Sequence, residues 1–206
     1  MEGIAQLTLE TLDRQWTLAV NGCHCEVSDW LWQLCSIQEV WYPLYAVILF
    51  FLIYRLGWKR GLLIALAAAL TIVVCDQGAN LAKYVFHRPR PCNDADMLEG
   101  GLRLLEKGST SFSFFSAHAA NAFGLATVTL VGFCQDKKNP YAWYGFTMYV
   151  WAAMLGISRV FVGKHFVGDV IVGALFGVAV GALMAALARS LTKPVSPPPS
   201  ESPANP

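Results

Sequence analysis

Residues 61–86 read GLLIALAAALTIVVCDQGANLAKYVF, with no charge before Asp76. A helix needs about 20 mostly apolar residues to cross the hydrocarbon core of a bilayer. This stretch meets that length, so it reads as a membrane-spanning helix. Working outward, four more stretches qualify. Residues 40–57, VWYPLYAVILFFLIYRLG, precede it, and residues 114–134, 141–157 and 165–191 follow. All should be helical, because lipid offers no water to satisfy an open backbone. The expected fold class is therefore all-α: a polytopic membrane helix bundle of five transmembrane helices.

Composition agrees. Of 206 residues, 55% are apolar and only 14% charged, a balance outside the soluble range. A net charge of +1 gives no basic surface for nucleic acid. Six cysteines stand at 23, 25, 35, 75, 92 and 134, without a Cys-x-x-Cys zinc pair. Most read as small apolar residues, and a disulfide among Cys23, Cys25 and Cys92 stays open. The N-terminus has no basic region followed by an apolar run, so no cleaved leader is expected.

Residues 1–39 read as a separate amphipathic interfacial segment. Leu9, Leu12, Trp16 and Val20 recur at helical spacing, with Glu10, Asp13 and Arg14 between them. One or two helices lying in the membrane interface fit this pattern, with tryptophans at headgroup level. A short sixth span is the alternative. Residues 40–193 form the expected membrane domain. The tail at 194–206, PVSPPPSESPANP, is Pro/Ser-rich and is expected to be disordered.

Basic residues orient the bundle. Arg55, Lys59 and Arg60, then Lys137 and Lys138, then Arg189 and Lys193 fall on one side of a five-span chain, which the positive-inside rule makes cytoplasmic. The opposite side collects three blocks of chemically capable residues. Lys83 and Arg90-Pro91 close the second span. Ser116-Ala117-His118 opens the third. Ser158-Arg159, His165 and Asp169 bridge the fourth and fifth. A purely structural span has no need of such groups, and intramembrane charge is costly.

Each group suits phosphoryl transfer. Lys83, Arg90 and Arg159 can hold non-bridging phosphate oxygens. Ser116 and the Ala117 N–H stand at a helix start, where free N–H groups favour an anion. His165 and Asp169 are four apart and share a helical face. The carboxylate can hold one imidazole nitrogen and leave the other free to attack phosphorus. His118 is then available to protonate the leaving oxygen. Asp76, Asn80 and Lys83 share a face of the second span, and Asp76 either bonds within the bundle or tunes Lys83. Arg88 either binds a headgroup phosphate or sits in the interface. His24 and His87 read as structural. Gly173, Gly177 and Gly181 form a ridge that reads as close helix packing.

These blocks resemble the type-2 phosphatidic acid phosphatase superfamily, whose pattern is Lys-x6-Arg-Pro, Pro-Ser-Gly-His and Ser-Arg-x5-His-x3-Asp. The first and third blocks match in full. In the second, Phe115 stands for the proline and Ala117 for the glycine. Alanine still supplies the backbone N–H that the glycine gives to phosphate. The third block alone would arise by chance about once in a thousand chains of this length, at roughly 5% per residue. The resemblance covers about residues 40–190. It implies a bacterial membrane lipid phosphatase with His165 as nucleophile, Asp169 as its partner and His118 as acid and later base. Lys83, Arg90, Ser116, Ala117 and Arg159 would hold the phosphate, with no metal and no cofactor.

The implied partner is a lipid phosphate in the bilayer of a bacterial inner membrane, met at the extracytoplasmic face. Undecaprenyl pyrophosphate, phosphatidylglycerol phosphate, phosphatidic acid and lipid A phosphates are all candidates. The family's haloperoxidases are soluble, which argues against that activity here. A transporter on the same bundle is the competing class, but no inverted repeat or broken helix pair is present, and the polar groups gather at one face. An inactive scaffold would not need both histidines and Asp169.

Overall fold

The computed structural model describes residues 9–192. The N-terminal eight residues and the Pro/Ser-rich tail, with its expected disorder, lie outside the described residues. Eight α-helices follow in order: α1 Leu9–Gly22, α2 Glu26–Ser36, α3 Tyr42–Leu56, α4 Trp58–Phe86, α5 Ala95–Glu99, α6 Ala117–Phe133, α7 Ala142–Phe161 and α8 Val167–Thr192. A 3-10 turn, Gln38–Trp41, leads into α3. The described residues contain no strand. Three stretches are long and apolar enough to cross a membrane: Gln38–Leu56, Trp58–Glu99 (which contains α4) and Val167–Leu191. Helix α6 is a shorter apolar helix.

The expected spans and the observed helices differ at their ends, and the differences fall on the site. Helix α7 continues past Ile157 to Phe161, so Ser158 and Arg159 lie in its last turn rather than in a loop. Ser158 Oγ turns back to the Leu155 carbonyl at 2.7 Å, which keeps its polar group inside the helix. Gly163, at φ 78°, then reverses the chain in a conformation suited to glycine. Helix α8 starts at Val167, which leaves His165 in the turn. Helix α6 starts at Ala117, with Ser116 as its N-cap.

Helix α6 is the axis of the bundle. Eleven of its 17 residues are buried, and α3, α4, α7 and α8 all pack on it. Its small residues allow that. The glycine ridge of α8 lies directly on the α6 backbone. A Cβ on Gly173 would stand 2.5 Å from the Ser116 carbonyl oxygen, one on Gly177 2.1 Å from that of Ala120, and one on Gly181 2.5 Å from that of Gly124. No side chain fits there. The outward faces are apolar: Phe50 on α3, Leu66 on α4 and Leu175 on α8 are each more than half exposed.

At the end away from the candidate site, Arg55 of α3 pairs with Asp136 at 3.5 Å and reaches the Tyr141 hydroxyl at 3.2 Å. The first two basic loops therefore share one end of the bundle. At the other end α1 and α2 dock on α7, and α1 also docks on α8. Helix α1 is amphipathic as expected, but its docking face is the polar one. Thr17 and Asn21 are buried, whereas Leu9 is 86% exposed and Trp16 55% exposed. Asn21 donates to the Val160 and Phe161 carbonyls and accepts from Arg103 N–H. Thr17 accepts from Val167 N–H. All six cysteines are free thiols.

The ridge generates a stability prediction. Overpacking a filled contact costs about 1–3 kcal/mol, so Gly177→Ala should lower resistance to unfolding by about that much. Gly22→Ala, which meets nothing within 4 Å, should not destabilise the protein. Unfolding by SDS titration in detergent micelles measures both.

Candidate active site

The three motif blocks converge at one end of the bundle. Asp169, fully buried in the first turn of α8, lies 3.5 Å from His165 Nδ1 through Oδ2. The same oxygen accepts from Phe166 N–H at 3.1 Å and, in a close contact, from the Ser113 hydroxyl. His165 is 2% exposed, and its other ring nitrogen, Nε2, faces Arg90 Nη1 at 3.4 Å. The ring is thus held at one nitrogen by a carboxylate and turned at the other toward a cation. Burial pushes the His165 imidazole below the usual histidine range, against the opposing pull of Asp169, and Arg90 and Arg159 add to the depression. A neutral ring keeps a lone pair at physiological pH.

The cations are placed by different elements. Arg90, at the end of the α4 block, is fixed by Ser111 and by the Lys164 carbonyl. Arg159 comes from the last turn of α7 and its backbone carbonyl accepts from the Lys164 and His165 N–H groups. Its Nη1 touches Ser36 Oγ and lies 3.6 Å from Glu106, yet its buried Nε has no hydrogen-bond partner. Such an unmet buried donor is costly, and an anion in the site would satisfy it. Lys83 is half-buried in α4, forms no ion pair among the described residues, and is within electrostatic reach of Arg90 and Asp169.

Ser116 caps α6 by accepting from Ala119 N–H at 3.4 Å, and its own N–H donates to the Asp169 carbonyl at 3.0 Å. The Ser116 N–H is therefore spent on structure. The first-turn N–H groups of Ala117 and His118 are those left for an anion. The His118 side chain is half-buried and feels Arg159, His165, Lys83 and Arg90. All eight expected residues thus lie near one another at one end of the bundle.

Four residues complete the site beyond that set. Arg88 donates to Asp169 Oδ1 at 2.7 Å and to Asp13 Oδ2 at 2.7 Å, with its guanidinium 3.9 Å over the Phe166 ring. Neither of the two readings of Arg88 open in the sequence includes the contact it makes: it braces the carboxylate that holds His165. Asp13 of α1 also accepts from Gly168 N–H at 2.7 Å. Ser113 and Glu106 come from the loop before α6. The polar residues Asp13, Thr17 and Asn21, at helical spacing on α1, are the signal that points to Asp13. Nothing in the sequence marks Ser113 or Glu106.

The model of the PAP2 superfamily matches residues 58–193. The chain belongs to the PAP2 superfamily. It is 32% identical over 171 residues to a lipid A 4'-phosphatase of Bacteroides thetaiotaomicron, covering 82% of this chain and 73% of that protein. Its fold matches the crystal structure of Aquifex aeolicus LpxE, with TM-score 0.63, 24% identity and coverage of 85% and 95% of the two chains. It also matches a PAP2-type phosphatidylglycerolphosphate phosphatase from Bacillus subtilis, with TM-score 0.62, 22% identity and coverage of 91% and 88%. The PAP2 lipid phosphatases to which it is similar are integral membrane hydrolases of phosphate esters.

The Asp13–Arg88–Asp169 chain should act through position rather than contact with substrate. Hydrogen bonds to charged groups are worth about 1.5–3 kcal/mol. Arg88→Gln should therefore lower kcat about 10- to 100-fold with little change in KM, and Asp13→Asn should lower it less. Because both act on one carboxylate, the double variant should lose less than the product of the single losses. Steady-state kinetics of the three variants tests this, and a fully multiplicative loss would show that the two residues act separately.

Proposed function

We propose that this chain is a lipid phosphate phosphatase that works through a phosphohistidine on His165. Support comes above all from one observation: His165 has Nδ1 on a buried carboxylate and Nε2 facing Arg90, beside an Arg159 nitrogen with no partner. The substrate's phosphate takes the volume between Arg90, Arg159, Lys83 and the N–H groups of Ala117 and His118. His165 Nε2 gives its lone pair to phosphorus, and the bond from phosphorus to the lipid oxygen breaks. His118 gives that oxygen a proton. Asp169 stabilises the cationic ring that results. His118 then removes a proton from water, which attacks phosphorus, and the P–N bond breaks to release phosphate and neutral His165. The positive charge that a metal would supply in another phosphatase comes here from the two arginines and Lys83, so no step calls for one.

The substrate is a lipid phosphomonoester or pyrophosphate. Lipid A phosphate stands first in the panel because of the Bacteroides relative, followed by phosphatidylglycerol phosphate, phosphatidic acid and undecaprenyl pyrophosphate. We place the protein in a bacterial inner membrane with five spans, α3, α4, α6, α7 and α8. Helix α1 lies in the interface, with its apolar stripe toward lipid. The active end faces away from the cytoplasm, because the Arg55 and Lys137–Lys138 loops lie at the other end. A transporter is the less economical reading, since the polar groups gather at one end of the bundle rather than at its middle.

Sidedness has a direct test. In a cysteine-free background on intact cells, Ser109→Cys should react with an impermeant thiol reagent and Lys138→Cys should not. The reverse pattern would put the active end in the cytoplasm.

The two histidines should fail differently. His165→Ala should abolish the phosphoenzyme and lower turnover by several orders of magnitude on any substrate. His118→Ala removes only acid–base help, worth about 10²–10⁴-fold, and that defect should shrink on an aryl phosphate, whose leaving group needs little protonation. Turnover on alkyl and aryl phosphates in EDTA, with trapping of phosphohistidine, measures both. An equal His118→Ala loss on the two substrates, or a phosphoenzyme trapped in His165→Ala, would overturn the assigned roles.

A further inference from the structure

A cavity lies inside the bundle beside His118. It encloses about 150 Å³ between α3, α4, α6 and α7 and is lined by Gln38, Tyr45, Asp76, His118, Asn121 and Trp151 among others. His165, Asp169, Arg90 and Arg159 do not line it. Whole ligands of drug size fill roughly 300–1,000 Å³, so this space takes one ring-sized group rather than the chains of a lipid.

Its polar groups are unmet in a complementary way. Asn121 Nδ2 donates to Asp76 Oδ1 at 2.9 Å. A carboxylate only accepts, which fixes the amide and leaves Asn121 Oδ1 as an acceptor. That oxygen is buried without a partner. Trp151 is 7% exposed, and its Nε1 is a buried donor without a partner. The neighbouring Trp41 differs, because its indole N–H reaches the Cys35 carbonyl at 3.0 Å. Trp151 is held edge-on between Trp41 and Tyr45, at ring distances of 5.7 and 6.2 Å, so its N–H cannot swing to another acceptor.

In phosphoryl transfer the attacking and leaving atoms lie roughly in line through phosphorus. With His165 attacking from one side, the leaving oxygen and its substituent lie on the side of His118. We propose that this cavity is a leaving-group pocket that takes a hydroxylated ring, a sugar carrying the phosphate, and that Trp151 Nε1, Asn121 Oδ1 and Asp76 bind its hydroxyls. This assignment rests on the lipid phosphatase reading above and names its substrate class. A hydroxyl both donates and accepts, so adjacent ring hydroxyls satisfy the indole N–H and the amide oxygen together. A polyprenyl or glycerol-ester leaving group leaves both unmet, and a site built for a hydroxyl rejects an analogue without one.

The test compares three substrates on the purified full-length protein: a glycolipid with phosphate on a hexosamine ring, the same glycolipid with its free ring hydroxyls methylated, and a polyprenyl phosphate. An aryl phosphate serves as reference. The wild type should favour the free glycolipid over both lipids by about tenfold or more in kcat/KM. Trp151→Phe, which keeps a ring and removes the N–H, and Asn121→Leu should each reduce that preference about three- to tenfold. Equal rates on free and methylated glycolipid, or variants that leave the preference where it was, would overturn the pocket while leaving the lipid phosphatase reading intact. A wild type that cleaves the aryl phosphate and no lipid would instead sink the lipid reading, and the pocket with it.

Discussion

The contact on which the site depends is backbone on backbone: the α8 glycine ridge against α6. Gly173 comes so close to the Ser116 carbonyl that a Cβ would sit at 2.5 Å, and the Ser116 N–H donates to the Asp169 carbonyl at 3.0 Å. This single seam carries His165 and Asp169 on one side and Ala117 and His118 on the other. In lipid no hydrophobic force draws helices together, so packing of small residues supplies the association. The ridge therefore sets the distance between His165 and the start of α6.

Around that seam the protein concentrates charge that would be costly in isolation. Arg88 and Arg90 and the α7 cation Arg159 stand at one end of the bundle, and each is given acceptors. Arg88 has Asp169 and Asp13. Arg90 has Ser111 and the Lys164 carbonyl. Arg159 has Ser36 and, at 3.6 Å, Glu106. Among their buried donors, Arg159 Nε has no partner. In the proposed reaction that donor meets the phosphate.

The N-terminal helix reverses an ordinary rule. In a soluble protein an amphipathic helix buries its apolar stripe. Here Asp13, Thr17 and Asn21 hold the turn around His165, and Leu9 and Trp16 are left outside. A helix with its polar face on protein and its apolar face outward suits the headgroup region, where lipid covers the outward face. It also joins the site directly, because Asp13 contacts both Arg88 and the Gly168 N–H.

The sequence by itself determined the long apolar helices and pointed to most members of the candidate site. Long apolar runs leave no other backbone state in lipid, and Lys83, Arg90, Ser116, His118, Arg159, His165 and Asp169 stood out because charged and titratable groups at span ends have few structural reasons to be there. Helix ends were less legible: Ser158 and Arg159 proved helical, since hydropathy falls at a charge whether or not the helix stops. The brace on Asp169 was less legible still. Ser113 lies 56 and Arg88 81 positions from Asp169 along the chain, and Asp13 lies 75 from Arg88, and ordinary polar residues carry no mark of a distant partner. Only the tertiary structure, by docking α1 across the α7–α8 turn and closing the loop before α6, decided which carboxylate each would meet.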